Sequence, residues 1–215
     1  MAVRTISTKL AVEGEAEYKK SIAACNGELS TLKSSLGLVE AAFKGNANSM
    51  EALKEKGAAL EAIYKKQTEK IATLEDALKN AQNAQAKYSD RVTEAEANVS
   101  KYEKALADLK ESTGDTSEEQ EALTAELEKW KTELSNAQAG QEAAARGVQG
   151  WQRQLNNANA ELYNLDDEIQ KNKKYLAEAE KSTDGCAKSI DKYGNEVKDT
   201  SGAIDQLAGV LAAAG

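Results

Sequence analysis

The sequence predicts an all-α protein dominated by a long coiled coil. Its 215 residues include no proline, where average usage would give about ten, and proline is the residue that breaks helix interiors. Charged residues make up 30% of the chain and aromatic residues 5%, a balance typical of long amphipathic helices and unlike that of an ordinary globular core. The third observation is that apolar residues recur with a period of seven.

The heptad pattern begins at Tyr18 and ends at Leu211. Alternate steps of four and three residues from Tyr18, taken without a reset, define positions that we call the seam. The seam holds no charged residue, and it holds both tryptophans, both cysteines and the single phenylalanine. A heptad sustained over this length predicts a left-handed coiled coil.

Three segments carry the signals of helix ends: residues 44–49, 112–117 and 182–185. Their glycine, asparagine, serine, threonine and aspartate residues are typical of turns and helix caps. Asn48 with Glu51 is a predicted N-cap pair before the second helical stretch. Thr116 with Glu119 is a predicted capping box after the second segment.

The centre of the second segment, between Gly114 and Asp115, is the predicted apex of an antiparallel helical hairpin. Folding there pairs seam residues that lie at equal distances from the apex, and it sets the first and third segments opposite each other. The predicted pairs include Leu78–Trp151, Leu74–Leu155, Phe43–Cys186, Leu36–Tyr193 and Ile22–Leu207. The alternative is one continuous helix in a parallel oligomer, because the heptad phase passes every break unchanged.

These signals divide the chain into five parts. They are an N-terminal strand and turn at 1–14, a first coiled-coil arm at 15–111 with a break at 44–49, an apex loop at 112–117, a second arm at 118–181, and a helical C-terminal segment at 182–215.

The first part is predicted as a strand because residues 3–12 are rich in β-branched side chains, with Ile6, Leu10 and Val12 alternating onto one face. Glu13 and Gly14 end it. Since a lone strand cannot satisfy its own backbone, this strand must pair with another chain or with another copy.

Polar and small residues dilute the seam at Gly57, Gln67, Gln85, Gln141 and Asn172. A buried polar seam residue lowers stability and fixes register. Two interpretations stand: a coil built to rearrange, or an ordinary coil with an imperfect seam.

Two stretches of the sequence resemble a known family. Residues 5–22, TISTKLAVEGEAEYKKSI, and residues 43–53, FKGNANSMEAL, resemble the opening of the tail tape measure proteins of long-tailed phages and prophages. That opening is a short strand, an acidic-glycine turn, an aromatic residue and a heptad helix. The resemblance covers residues 3–80, and it is one of composition beyond them.

The resemblance implies a structural protein that sets tail length from inside the tail tube while the tube polymerises around it. It implies self-association, tail tube and tail assembly proteins as partners, and a location in the host cytoplasm during assembly and in the lumen of the virion tail afterwards. Family members are longer, and residues 209–215, GVLAAAG, look like the start of a downstream apolar segment. We therefore expect the chain to be an N-terminal region of such a protein.

The remaining composition argues against chemistry. The chain has no histidine, which excludes His-based catalysis and most zinc or haem ligation, and it has no phosphate-binding loop motif. The net charge of −8 disfavours nucleic-acid binding, and no apolar stretch is long enough to cross a membrane. We expect no enzymatic activity, no cofactor and no catalytic or metal-binding residue.

The two cysteines, Cys25 and Cys186, occupy seam positions as small apolar residues. They do not face each other in the hairpin register, so the sequence predicts no disulfide. Acidic pairs such as Asp166 with Asp167 are explained by solvated helix faces. The functional alternatives are an intracellular coiled-coil scaffold or segregation-type arm and, less favoured because residues 112–117 are polar, a membrane-active helical hairpin.

Overall fold

The computed structural model describes residues 14–110 and 117–213. About 95% of the described chain is helical, in three helices, and the described residues contain no strand. The helices are α1 (Glu15–Ala42), α2 (Met50–Lys110) and α3 (Ser117–Ala213). The predicted all-α class is thus confirmed. The predicted strand at residues 3–12 and the predicted apex at Gly114 and Asp115 lie outside the described residues.

The chain turns between α1 and α2, at residues 43–49. Backbone hydrogen bonds from Asn46 N to Phe43 O (2.8 Å) and from Ser49 N to Asn46 O (3.0 Å) close the turn. The N-cap of α2 is Ser49, whose hydroxyl oxygen accepts from the backbone N–H of Ala52 (3.2 Å). This corrects the predicted cap at Asn48 by one residue, and both side chains have the chemistry that caps a helix.

The turn reverses the direction of the chain. The Lys56 ammonium lies 2.7 Å from the Glu40 carboxylate, and the Lys66 ammonium lies 2.6 Å from that of Glu28. Residue numbers therefore rise along α1 as they fall along α2. The segment predicted as a break within one straight arm, or as part of one continuous helix, instead folds α1 back onto α2.

The third predicted break is absent, because α3 continues as helix through residues 182–185. Gly185 costs a helix only about 1 kcal/mol relative to alanine. The hydroxyl groups of Thr183 and Ser189 donate to the carbonyl oxygens four residues earlier, Ala179 O and Gly185 O, both at 2.9 Å. Such residues permit a turn without forbidding a helix.

The chain divides into two compact units. Unit 1 comprises Met1–Glu28 with Lys66–Leu162, and unit 2 comprises Leu29–Lys65 with Tyr163–Gly215. Within unit 1, residue numbers rise along α2 as they fall along α3. Arg91 pairs with Glu133, and the Gln67 side chain reaches the backbone of Ala158.

The core of unit 1 joins all three helices. Ile22 of α1 packs in a cluster with Leu74 and Leu78 of α2 and with Trp151 and Leu155 of α3. This differs from the predicted pairing of Ile22 with Leu207. The turn at residues 43–49 explains this packing, because it folds α1 back onto α2 and places Ile22 in the same cluster as Leu74 and Leu78. Among the described residues, no helix is long and apolar enough to cross a membrane.

Candidate functional site

The feature of the described chain that most resembles a functional surface is the seam itself. On α3, each seam residue from Leu123 to Ala179 is buried or half-buried. Among the residues whose side chains the structure describes, two buried amides interrupt the apolar interior: Gln67 of α2 at 2% exposure and Asn172 of α3 at 5%. Both were predicted as seam residues that set register, and we describe each in its own unit.

In unit 1, Gln67 projects from α2 toward α3. Its Nε2 donates a hydrogen bond of 2.8 Å to the backbone carbonyl oxygen of Ala158. Ala158 is itself almost fully buried, and its short side chain leaves the space that the longer glutamine fills. If α2 slid along α3, this bond would break and leave a buried amide without a hydrogen-bond partner. That loss would lower stability by about 1–3 kcal/mol.

In unit 2, Asn172 makes the same kind of contact from the other helix. Its Nδ2 on α3 donates to the backbone carbonyl oxygen of Leu53 on α2, at 2.8 Å. The opposing residue is Gly57, where an added Cβ would lie 3.0 Å from that Nδ2. The Oδ1 of Asn172 is buried and has no hydrogen-bond partner, so this amide is only half satisfied.

Asn172 also lines an open cavity of about 520 Å³ within unit 2. Val39 and Phe43 supply apolar walls from the end of α1 and the turn, and Tyr175 supplies one from α3. The turn at residues 43–49 thus forms one side of this cavity.

Tyr88 and Gly140 meet in a close contact across α2 and α3 in unit 1. Gly140 is buried, and a Cβ at that position would clash with the Tyr88 ring. A residue without a side chain is therefore required opposite this tyrosine. Gln85 and Gln141, the other two amides predicted to dilute the seam, are half-buried.

A second stripe on α2 was missed by the sequence reasoning. Its members keep the four–three spacing on a neighbouring face, and each is buried or half-buried from Ala52 to Ala84. They are Ala52, Lys56, Ala59, Ile63, Lys66, Lys70, Thr73, Ala77, Asn80 and Ala84. Lys56 and Lys66 pair with α1 carboxylates from this stripe. The signal was present in the spacing, but the lysines hid it from a search for apolar residues.

Lys66 carries the clearest electrostatic effect. Its ammonium donates to Glu28 of α1 and to Glu69 one turn along α2, each at 2.6 Å. These two carboxylate hydrogen bonds, that of Glu28 first, raise the pKa of Lys66 above its usual range. The pair connects two helices by charge as well as by packing.

The cysteines and acidic pairs show no shared chemistry. Cys25 is a half-buried free thiol and Cys186 an exposed one, so Cys186 does not occupy the buried seam position predicted for it. Asp166 and Asp167 are exposed. The described residues contain no group of three or more His, Cys, Asp or Glu side chains placed to hold a metal ion. What the arrangement does chemically is to fix how helices align.

A comparison with protein-family models finds no matching family, and comparisons with curated proteins and with solved structures find no match either.

Proposed function

We propose that this chain is a structural protein of a phage tail, the N-terminal coiled-coil region of a tape measure protein, without enzymatic activity. The observation that carries the proposal is the resemblance of residues 5–22 and 43–53 to the opening of that family. The helical content supports it, since a helix advances 1.5 Å per residue and so converts residue number into length.

The arrangement we propose for the isolated chain is an antiparallel coiled-coil hairpin of α2 and α3, with its apex near Gly114 and Asp115. The contacts that support it are those between Gln67 and Ala158 in unit 1 and between Leu53 and Asn172 in unit 2. Both contacts join residues nearly equidistant from that apex. The N-terminal strand would pair with another chain or copy.

In this role the chain would work in the host cytoplasm during assembly and then in the tail lumen, with tail tube and assembly proteins as partners and with self-association. Asn172 has one unsatisfied oxygen, and Gly57 and Gly140 pack closely against the opposite helix. These features would fix the register of α2 against α3 while keeping the stability of their interface low. Such an interface suits a chain that folds back when alone and extends inside a tube. Its charge of −8 would limit contact with the DNA that later passes.

The test is a length change in the genome that encodes the chain. Deleting residues 82–95 and 133–146 removes two heptads from each of α2 and α3 and keeps their pairing. If the chain is extended in the tube, mean tail length measured by electron microscopy falls by about 42 Å; if it stays folded back, by about 21 Å. Duplicating the same segments should lengthen tails equally. Glu142→Gln, an exposed change in the same segment, should leave length unchanged.

Tails of unaltered length with both the deletion and the duplication would refute the ruler role. The alternative, an intracellular scaffold or segregation-type arm, predicts a different neighbourhood: a gene for an ATPase head beside this one, in place of genes for tail tube and tail assembly proteins.

A further inference from the structure

The cavity of unit 2 is built by three parts of the chain. Its lining comes from the end of α1 with the turn at residues 43–49, from the start of α2 and from α3. The lining residues Ala52, Leu53 and Asn172 are buried, and Val39 is half-buried. Its volume of about 520 Å³ lies within the range of sites that bind small molecules.

Asn172 supplies a hydrogen-bond acceptor at this cavity. Its Nδ2 is committed to the carbonyl oxygen of Leu53, at 2.8 Å, and the residue is only 5% exposed. Its Oδ1 is the one buried side-chain oxygen or nitrogen of the described residues that has no hydrogen-bond partner. Because an unpaired buried acceptor lowers stability, a bound hydrogen-bond donor is favoured here.

The other buried amide shows that a polar seam residue does not require an unpaired atom. Gln67 is as deeply buried as Asn172, and its Nε2 makes the corresponding bond to the backbone of Ala158. No atom of Gln67 is buried without a hydrogen-bond partner, and Gln67 does not line the unit 2 cavity. The unpaired oxygen thus belongs to the amide that lines the cavity.

The walls of the cavity favour an aromatic ligand. Phe43, from the turn, is half-buried, and Tyr175, from α3, is 51% exposed. Both rings line the cavity. A flat apolar molecule packed against them would cover their exposed apolar surface.

The charged lining residues do not select a charged ligand. The ammonium of Lys56 and the carboxylate of Glu40 lie 2.7 Å apart and neutralise each other. Lys44, Glu168 and Lys171 are exposed, so water and salt screen their charges. What remains is a largely apolar surface with one unpaired acceptor, which suits a neutral ligand that carries a donor.

We propose that the unit 2 cavity binds a small neutral aromatic molecule whose hydroxyl or N–H group donates a hydrogen bond to Asn172 Oδ1. The ligand contacts the turn, α2 and α3 together, so its binding stabilises their packing in unit 2. This binding site goes beyond the structural role proposed above, and it does not depend on the assignment to a phage tail.

The first experiment uses the full chain with isotope-labelled phenylalanine. Phe43 is the only phenylalanine, so the labelled ring signals in an NMR spectrum report on the cavity wall alone. The probes are β-naphthol, which carries a hydroxyl donor, and its methyl ether, which lacks one. β-Naphthol should shift the Phe43 signals with a dissociation constant of about 100 µM, and the ether should bind about 10-fold more weakly. Unshifted Phe43 signals, or equal affinities of the two probes, would overturn the proposal.

The second experiment removes the acceptor. Asn172→Leu keeps the approximate size of the side chain without its polar atoms, so it should weaken β-naphthol binding about 10-fold and abolish the advantage over the ether. Gln67→Leu removes the other buried amide, in unit 1, and should change both affinities less than about 2-fold. If the Asn172→Leu variant still preferred β-naphthol to the ether, the donor would pair with another group and the proposal would fail.

The first experiment needs no substitution, so its outcome stands even if a variant of the second loses its fold. Both use the purified chain alone. Failure to bind β-naphthol would leave the tail-length experiment unaffected, and unaltered tails would leave the binding site unaffected.

Discussion

Unit 1 contains a three-helix region and a two-helix region built on the same heptad seam. Where α1 joins, α2 buries Gln67, Ile71, Leu74, Ala77, Leu78 and Ala81. Past Asn80, where α2 contacts α3 through Tyr88 and Arg91, the residues of α2 from 82 to 110 bury Ala95 alone. In the same two-helix region α3 still buries Leu127, Ala137 and Ala144, so the loss of burial is a property of α2. On α2 the heptad thus determines which face packs, and full burial of that face coincides with the third helix.

The largest expected effect tests this directly. Leu74 has 0% exposure, and Leu74→Ala should lower the free energy of unfolding by about 4 kcal/mol. Leu106 is a half-buried seam residue of the two-helix region. Leu106→Ala should therefore lower the free energy of unfolding by about 2 kcal/mol or less. Urea denaturation of both variants gives the comparison. Equal losses would mean that the third helix adds nothing to the packing of the seam.

A carboxylate introduced on the seam should lower stability more in the three-helix region than in the two-helix region. Gln67→Glu removes the donor to Ala158 and sets a carboxylate against that carbonyl oxygen, so we expect a loss of about 3 kcal/mol at pH 7. Gln85→Glu, at a half-buried position, should cost about 1 kcal/mol. Burial raises the pKa of an introduced carboxyl, so stability of the Gln67→Glu variant should recover as pH falls from 7 to 5. A flat pH profile would count against full burial.

Substitution by alanine at two glycines of α3 should change stability in opposite directions. Gly140→Ala would clash with the Tyr88 ring and should destabilise by about 2 kcal/mol. Gly150 has no atom within 4 Å of its would-be Cβ, so Gly150→Ala should stabilise by up to about 1 kcal/mol through helix propensity. Thermal unfolding followed by circular dichroism measures both. Stabilisation by both changes would show that α2 and α3 lie further apart at Tyr88.

The helical class and the packing face were predictable because heptad spacing and the lack of proline are local properties of the sequence. The seam residues Leu74, Leu155 and Trp151 are buried as the pattern requires. The return of α1 onto α2 was not predictable in the same way. The face of α2 that receives α1 is lined partly by lysines, and two of them, Lys56 and Lys66, pair with the α1 carboxylates Glu40 and Glu28.

The continuation of α3 through the third predicted break has a similar explanation. Residues 182–185 have poor helix propensity, yet propensity is a weak local preference that a continuing helix overrides. The polar interior was predictable only in part. Gln67 and Asn172 could be placed on the seam, but their hydrogen bonds to Ala158 and Leu53 depend on the register of one helix against another.

The smallest expected effect concerns the charge that connects α1 to the three-helix region. The carboxylates of Glu28 and Glu69 raise the pKa of Lys66. A group whose pKa is higher in the folded state contributes stability that is complete below its unfolded pKa, about 10.4 for lysine, and is lost as pH rises through the folded value. Relative to Lys66→Met, the wild type should therefore keep a constant advantage up to about pH 10 and lose it gradually above that, with the loss complete only above the raised pKa of Lys66.

Lys70→Met is the matched control, since Lys70 lies on the same stripe, half-buried, one turn along from Lys66. This variant measures the effect of removing a half-buried lysine from the same stripe. Added salt should also reduce the Lys66 advantage, because an ion pair near solvent is screened. If the Lys66 advantage showed no decline between about pH 10 and pH 12, packing of the lysine side-chain methylenes against α1, and not the charge, would account for the stabilisation.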